Sequence, residues 1–414
     1  MSRLRLNAVS QPAAPAAGKY EIYHDTADNK ISGIDSDGFK QVLSSDGWRD
    51  QNLIINGDFG YAQRQVPTTL TNSTALAGGR QYAFDRFFQS NGGGSSVVQT
   101  QRVSNIGGAE AGLAAVTYGK YKMTGATSKL VVGQIIENAN LNHLLATKIR
   151  VQCKMKYSVA ASMTVRLGLV QLTSAGTVDT VAAGASGFIS AFGATGVDPT
   201  LTAAANLAYV TPLLTETSGT INGSGVDCVL TTGWVRYSAT FLVPNSCKNL
   251  IPMVWTNAAL SVNDELNISE FAFYAGEEIR DWYPRTEALG LEDCLRYYEK
   301  SFPLLIAPAA AVAVATAGTG SANIIGKAGA TALAVHIPVW YTVRKRITTP
   351  TVTLYTPVGA GAVPYRIDGT TPAVQTAVAQ VGPTDIGVTV TATGDAAGTV
   401  GDLVGVHWTA DAEI

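Results

Sequence analysis

The chain has 414 residues and a net charge of −2, with 14% charged residues against 46% hydrophobic ones. Near-neutral charge argues against a nucleic-acid binder, which needs a basic face to displace counterions from phosphate, and the apolar content is too high for a disordered chain. The 42 Gly and 16 Pro show no Gly-X-Y period, so collagen is excluded too and a β-rich protein of two or three domains remains.

Taken in chain order, Met1 to Asn7 alternates charge and Leu and has no apolar h-region, so synthesis without an export signal is expected. Residues 1–19 carry Pro12, Pro15 and several Ala and read as an extended arm. Tyr20 to His24, Lys30 to Ile34 and Phe39 to Leu43 read as three short strands joined by Asp/Asn/Gly turns. A meander of this length is marginal by itself and needs a neighbour, either copies of itself or another protein.

From Gln51 to Arg285 the pattern is β throughout. In Lys148 to Ser158, apolar residues fall on the odd positions and polar residues on the even ones, which predicts an antiparallel strand with one wet face. Met163 to Leu169, Trp234 to Val243 and Phe271 to Tyr274 read as further strands, and the Thr/Ala/Gly/Ser-rich stretch 172–230 as long loops or edge strands. Many short strands with Gly-rich turns indicate a sandwich or jelly roll.

Between Glu287 and Lys300, Leu291, Cys294, Leu295 and Tyr298 share one helical face, with Pro303 stopping the helix. Beyond it, strands are predicted at Leu333–Tyr341, Thr351–Tyr355, Ile386–Thr393 and Leu403–Trp408, with Pro338 marking an edge strand or a bulge. Lys327 is the one charged residue between Ser301 and Val343. Charge-free β sequence of that length is either interior or covered by identical neighbours, so a subunit interface is expected there.

Catalytic signals are poor. His24, His143, His336 and His407 are dispersed, without metal spacing, and neither a nucleophile elbow nor a phosphate-binding loop fits. Asp35-Ser36-Asp37-Gly38 begins like a calcium loop but lacks the distal Glu. Asp35/Asp37, Asp264/Glu265 and Glu277/Glu278 are explained as turn residues. No catalytic residue, cofactor or metal ligand is therefore assigned. The four cysteines, Cys153, Cys228, Cys247 and Cys294, are too widely spaced for a zinc or disulfide framework. Exposed Trp and Tyr hold sugars, because a flat ring packs on the C–H face of a pyranose while polar neighbours bond its hydroxyls. Trp255, Trp340 and Trp408 lie in charge-poor regions and are the candidates for such contact; core or subunit-interface positions are the alternative reading for each.

Several segments carry a resemblance. Asn52-Leu53-Ile54-Ile55-Asn56-Gly57-Asp58-Phe59 followed by Ala62-Gln63-Arg64-Gln65, then Tyr82-Ala83-Phe84-Asp85-Arg86-Phe87, resemble the opening of a jelly-roll domain in tailed-bacteriophage fibre proteins, itself similar to carbohydrate-binding modules of galactose-binding type. Phe87 stands where that family more often has Trp. Gly133 to Glu137, the Leu291 to Lys300 stretch, Arg346, Thr349 to Tyr355 and His407 to Glu413 resemble further family elements. The resemblance implies an intertwined homotrimer that folds in the host cytoplasm, docks to other virion proteins through its N-terminus and meets host surface glycan at the other end. Arg3, Arg5, Tyr20 and Tyr23 are the docking candidates in the N-terminal segment.

The expected protein is thus mainly β. It has an arm and docking meander at 1–50, an antiparallel jelly-roll sandwich at 51–285, a connecting helix at 286–300 and a C-terminal β domain at 301–414. The expected function is a virion fibre or spike that attaches to host glycans, with no nucleic-acid partner, no membrane insertion and no enzyme activity. The alternatives are a purely structural capsid or tail decoration and, further off, a glycan depolymerase, which needs a carboxylate pair at a set separation.

Overall fold

The computed structural model describes residues 8–9, 13, 16, 21–25, 30–34, 40–42, 52–65, 71–73, 80–92, 96–159, 162–181, 188–202, 206–216, 219–304, 306–309, 326–327, 334–355, 365–366, 377–393 and 403–413. These form two compact units, Met1–Asn52 with Tyr274–Gly276, and Leu53–Phe273 with Glu277–Ile414.

The first unit holds a four-stranded sheet in the order Ala8–Val9, Glu21–Asp25, Lys30–Ile34, Lys40–Val42. The last three are the antiparallel meander that the turn chemistry predicts. Ala8–Val9, inside the stretch read as an arm, pairs in parallel with His24 and Asp25. The open edge of a short meander offers unpaired backbone groups, and an extended segment satisfies them.

The second unit is mainly β, with antiparallel sheets in a sandwich. The chain passes from Thr117–Met123 to Leu130–Gln134, Lys148–Tyr157 and Met163–Leu172, changing sheet at each step, and does so again through Val235–Leu242, Asn249–Thr256 and Glu265–Ala275. Consecutive strands therefore face one another across the core, and their partners within a sheet are remote in sequence. Lys148–Tyr157 pairs with Val235–Leu242, and Met163–Leu172 with Asn249–Thr256. Aromatic rings fill the space between the sheets: Phe84 lies 5.6 Å from Tyr121, and Phe87 5.6 Å from Phe271.

Ile149, Val151, Cys153, Met155 and Tyr157 are all buried, as the alternation predicts. The expected wet face is not wet at its centre, because Arg150 and Gln152 are buried too. Gln152 donates to the Arg280 carbonyl at 2.7 Å and Arg150 to the Ser238 hydroxyl at 3.1 Å, so the chain after the last strand crosses this face. Asn249–Thr256 is likewise buried along its whole length. Its outward residues Ile251, Met253 and Trp255 join Phe188 and Ile189 in a second core outside the first sheet, built partly from the stretch read as loops.

The α-helix among the described residues, Glu287–Leu295, ends earlier than its apolar spacing suggests. Tyr298–Lys300 instead pairs with Asp411, Ala410 and Thr409, and this tertiary pairing overrides the helical pattern. It forms a three-stranded sheet with His407–Asp411 and Thr351–Tyr355. A second sheet takes Ala334–Trp340, Gly387–Thr393 and Ala377–Val381, with the Pro338 strand at its edge, where a missing N–H costs no ladder bond.

The segments quoted above as carrying the resemblance converge on one buried corner of this unit. Asn56, with φ of 61°, donates to the carbonyls of Tyr61 and Asp85 at 2.9 Å and accepts the Tyr61 N–H at 2.9 Å; Asn tolerates this left-handed backbone through such local bonds. Gly57 is required beside it, since a Cβ there would stand 2.1 Å from the Phe271 carbonyl oxygen. Gln134 exchanges two bonds with the backbone of Ile55 at 2.9 and 2.8 Å. Asp85 accepts from the Gln63 backbone and side chain at 3.1 and 2.7 Å. Burial pushes the Asp85 carboxyl up, while Arg64 and Gln63 pull it back. Arg86 donates to the Ile135 carbonyl at 2.5 Å and lies 3.5 Å from the Tyr297 ring centroid. Glu137 takes Arg296 at 3.2 Å and Arg346 at 3.7 Å. All four cysteines are buried with free thiols.

Candidate functional site

Of the three tryptophans expected to meet sugar, the structure leaves Trp340 at the surface and buries the other two. Trp255 is 0% exposed. Its ring packs 5.6 Å from Tyr209, and its indole N–H donates to Asp198 at 3.2 Å. Trp408 is 2% exposed, 5.6 Å from Tyr341 inside the C-terminal core. Neither can lie against a pyranose, because both faces of each ring are covered by protein. These two candidates are corrected to core residues. Charge-poor sequence is shared by exposed platforms and by interiors, and here it reported an interior twice.

Trp340 is 70% exposed. Alternation along Ala334–Trp340 turns Ile337 and Val339 into a core with Val388, Val390, Leu354 and Trp408, and therefore sets His336, Pro338 and Trp340 on the opposite face. The register places Thr391 opposite His336, Thr389 opposite Pro338 and Gly387 opposite Trp340. A Cβ at Gly387 would stand 2.3 Å from the Val339 carbonyl oxygen and 3.4 Å from the Trp340 ring, so the glycine gives the indole room beside the neighbouring strand. The His336 Nδ1 and the Thr391 hydroxyl are 3.0 Å apart. At the turn beyond the ring, Ile386 is exposed and Arg344 donates to the Asp385 carboxylate. Behind the sheet, burial and the Glu299 carboxylate push the Tyr341 phenol up to about 12, so it remains neutral.

The result is an apolar ring and a proline bordered by hydroxyls, an imidazole and an ion pair. Such a surface can pack the C–H face of a sugar and bond its hydroxyls. The alternation Val388-Thr389-Val390-Thr391 carried this information in the sequence, since it sends both threonines to the face opposite the core. The Arg344–Asp385 pair had no such signal.

Among the docking candidates, Arg3, Arg5 and Tyr20 lie outside the described residues, as does the Asp35 to Gly38 turn. Tyr23 lies within the Glu21–Asp25 strand. Among the described residues there is no cluster of three metal-ligating side chains, and no helix is long and apolar enough to cross a membrane.

No protein-family model matches the chain, and no curated sequence matches it significantly. Among solved structures, TmCBM61 in complex with beta-1,4-galactotriose is similar at 8% identity and a TM-score of 0.26, over 55% of this chain and 100% of that one. The enzymatically active domain of bacteriophage CBA120 tailspike protein 4 is similar at 10% identity and a TM-score of 0.28, over 54% of this chain and 21% of that one. The N-terminal CBM22-1–CBM22-2 tandem domain of Paenibacillus barcinonensis Xyn10C is similar at 9% identity and a TM-score of 0.27, over 87% of this chain and 90% of that one. At these TM-scores no residue role passes from those proteins to this chain.

Proposed function

We propose that this chain is a glycan-binding fibre or spike protein of a bacteriophage particle, and that the Trp340 surface holds the host glycan. The observation that carries the binding reading is the exposed Trp340 ring, seated against Gly387 and bordered by Thr389, Thr391 and His336. Indole combines a large apolar area with little conformational freedom to lose on binding. The phage reading is supported by the resemblance of the Asn52 to Phe59, Tyr82 to Phe87 and Leu291 to Lys300 segments to fibre proteins. On this reading the N-terminal segment, with Arg3, Arg5, Tyr20 and Tyr23, docks to the particle, and three chains associate through the charge-poor C-terminal third. The protein binds glycan without cleaving it.

The test titrates the full chain with a panel of bacterial surface polysaccharides. Trp340→Ala is expected to weaken binding by at least about 10-fold, as loss of an aromatic anchor does, and Trp340→Phe to retain most of it. Equal affinity in both variants overturns the site. A one-chain mass by light scattering overturns the trimer, and release of reducing ends overturns the non-enzymatic reading.

A further inference from the structure

A second face of the C-terminal β structure forms a cleft of about 380 Å³. Its floor follows from register. Thr351 and Thr353 alternate with buried Val352 and Leu354, so their hydroxyls point away from the core. Thr409 stands opposite Thr353, and Asp411 opposite both Thr351 and Tyr298. Tyr298 and Tyr355 supply rings, and Arg64 closes one wall.

The charged groups in the lining cancel one another. The Arg64 guanidinium donates to Asp411 at 3.1 Å, faces Asp85 at 3.8 Å and Glu413 at 3.5 Å, and lies 3.9 Å from the Tyr298 ring centroid. With three carboxylates around it, it has no net charge to offer an anion. Asp411, 39% exposed, already holds Arg64, so a cation gains little. What is left free is neutral chemistry. The exposed Thr351 and Thr353 hydroxyls both donate and accept, Thr409 lies beneath them at 4% exposure, and the half-buried Tyr355 ring suits C–H surfaces. The volume lies within the range of small-molecule sites.

We infer that this cleft is a binding site for a neutral saccharide, separate from the Trp340 surface and independent of the function proposed for it. Its ligand is an uncharged sugar ring, held by the Thr351 and Thr353 hydroxyls against the Tyr355 ring.

The experiment uses the full chain and calorimetric titration with neutral monosaccharides and their β-1,4 dimers, alongside glucosamine and glucuronate. At least one neutral sugar is expected to bind, and both charged sugars to bind at least about 5-fold more weakly. Thr353→Arg, which fills the cleft from an exposed strand position, abolishes that binding. Thr353→Val, which keeps the shape and removes one hydroxyl, weakens it by roughly 5- to 10-fold, one hydrogen bond's worth. Every titration is run in the Trp340→Ala background, which removes sugar held at the Trp340 surface, so a failure of that surface and a failure of the cleft read out separately. Absence of any neutral-sugar binding, binding that survives Thr353→Arg, or tighter binding of either charged sugar overturns the inference.

Discussion

Arg86 and Glu413 stand 327 positions apart in sequence and form an ion pair in which both side chains are buried. Glu413 also accepts the Arg86 backbone N–H at 3.3 Å and lies 3.5 Å from Arg64. One carboxylate near the end of the chain therefore neutralises two guanidiniums at the corner of the sandwich. Removing it leaves the Arg86 guanidinium buried without its ion-pair partner, while Arg64 keeps Asp411 and Asp85, and stranding one buried charge costs far more than the pair contributes. Glu413→Ala is expected to destabilise the protein by about 3–5 kcal/mol, and Glu413→Gln by less, because it keeps an acceptor. Denaturant midpoints check this, and an Ala variant as stable as the parent removes the corner from any account of stability.

Lys300 gives a pH signature. Burial lowers its amine to about 8, with Asp85 opposing the shift, and it donates to the carbonyls of Gln63 and Ile306 at 2.7 and 2.6 Å. Its folded value lies below the lysine value of 10.5. Between these values the unfolded chain binds the proton and the folded chain does not, so stability rises with pH. Below about 8 both states are charged and the burial cost is fully present. The rise runs from about 8 until tyrosine ionisation in the unfolded chain, near 10, reverses it; the buried phenols of Tyr82 and Tyr237, pushed up to about 12, resist ionisation in the fold. Urea midpoints measured across this window should climb in the parent protein and climb less in Lys300→Met.

Gly387 makes a steric prediction. A methyl group there meets the Val339 carbonyl oxygen at 2.3 Å, which is backbone and cannot swing aside. Gly387→Ala is expected to cost about 1–3 kcal/mol, the usual range for overpacking, and to displace Trp340 from its seat. Intrinsic fluorescence compared with a Trp340→Phe control reports the ring, and melting reports the cost. Unchanged emission together with unchanged melting contradicts the seat.

Much of the fold could be read from alternation, and the reason it stops is visible at particular residues. Ile149 to Tyr157 and Thr351 to Tyr355 each bury one side of a strand, and a period of two reports that. Arg150 and Gln152 are polar and buried, because the Arg280 region covers them through hydrogen bonds. Trp255 faces outward from its sheet and is still buried under the segment bearing Phe188 and Ile189. Local periodicity cannot report a third layer supplied by remote sequence. The same limit hid the cleft, whose lining joins Arg64 to residues beyond 298, while Trp340 was found by its chemistry.

That third layer is itself pinned at one residue, Asp198. Its carboxylate takes the Trp255 indole N–H at 3.2 Å, the Ser224 hydroxyl at 2.6 Å and the buried Arg166 guanidinium at 2.5 Å. Lys129 adds bonds to the Ala194 and Val197 carbonyls at 2.6 and 2.9 Å. Arg166 keeps a second carboxylate, Asp227, at 2.6 Å, so losing Asp198 does not strand the charge completely. Asp198→Ala is therefore expected to loosen the 188–202 segment before it unfolds the sandwich, at a cost of about 2–3 kcal/mol for the lost charged hydrogen bonds. Hydrogen exchange should quicken at Ile189 and Thr202 while the amides of Val165 to Leu169, in the sheet beneath, stay protected. Uniform acceleration across both regions would show that the outer layer and the sandwich open as one unit, contrary to a layer held at Asp198.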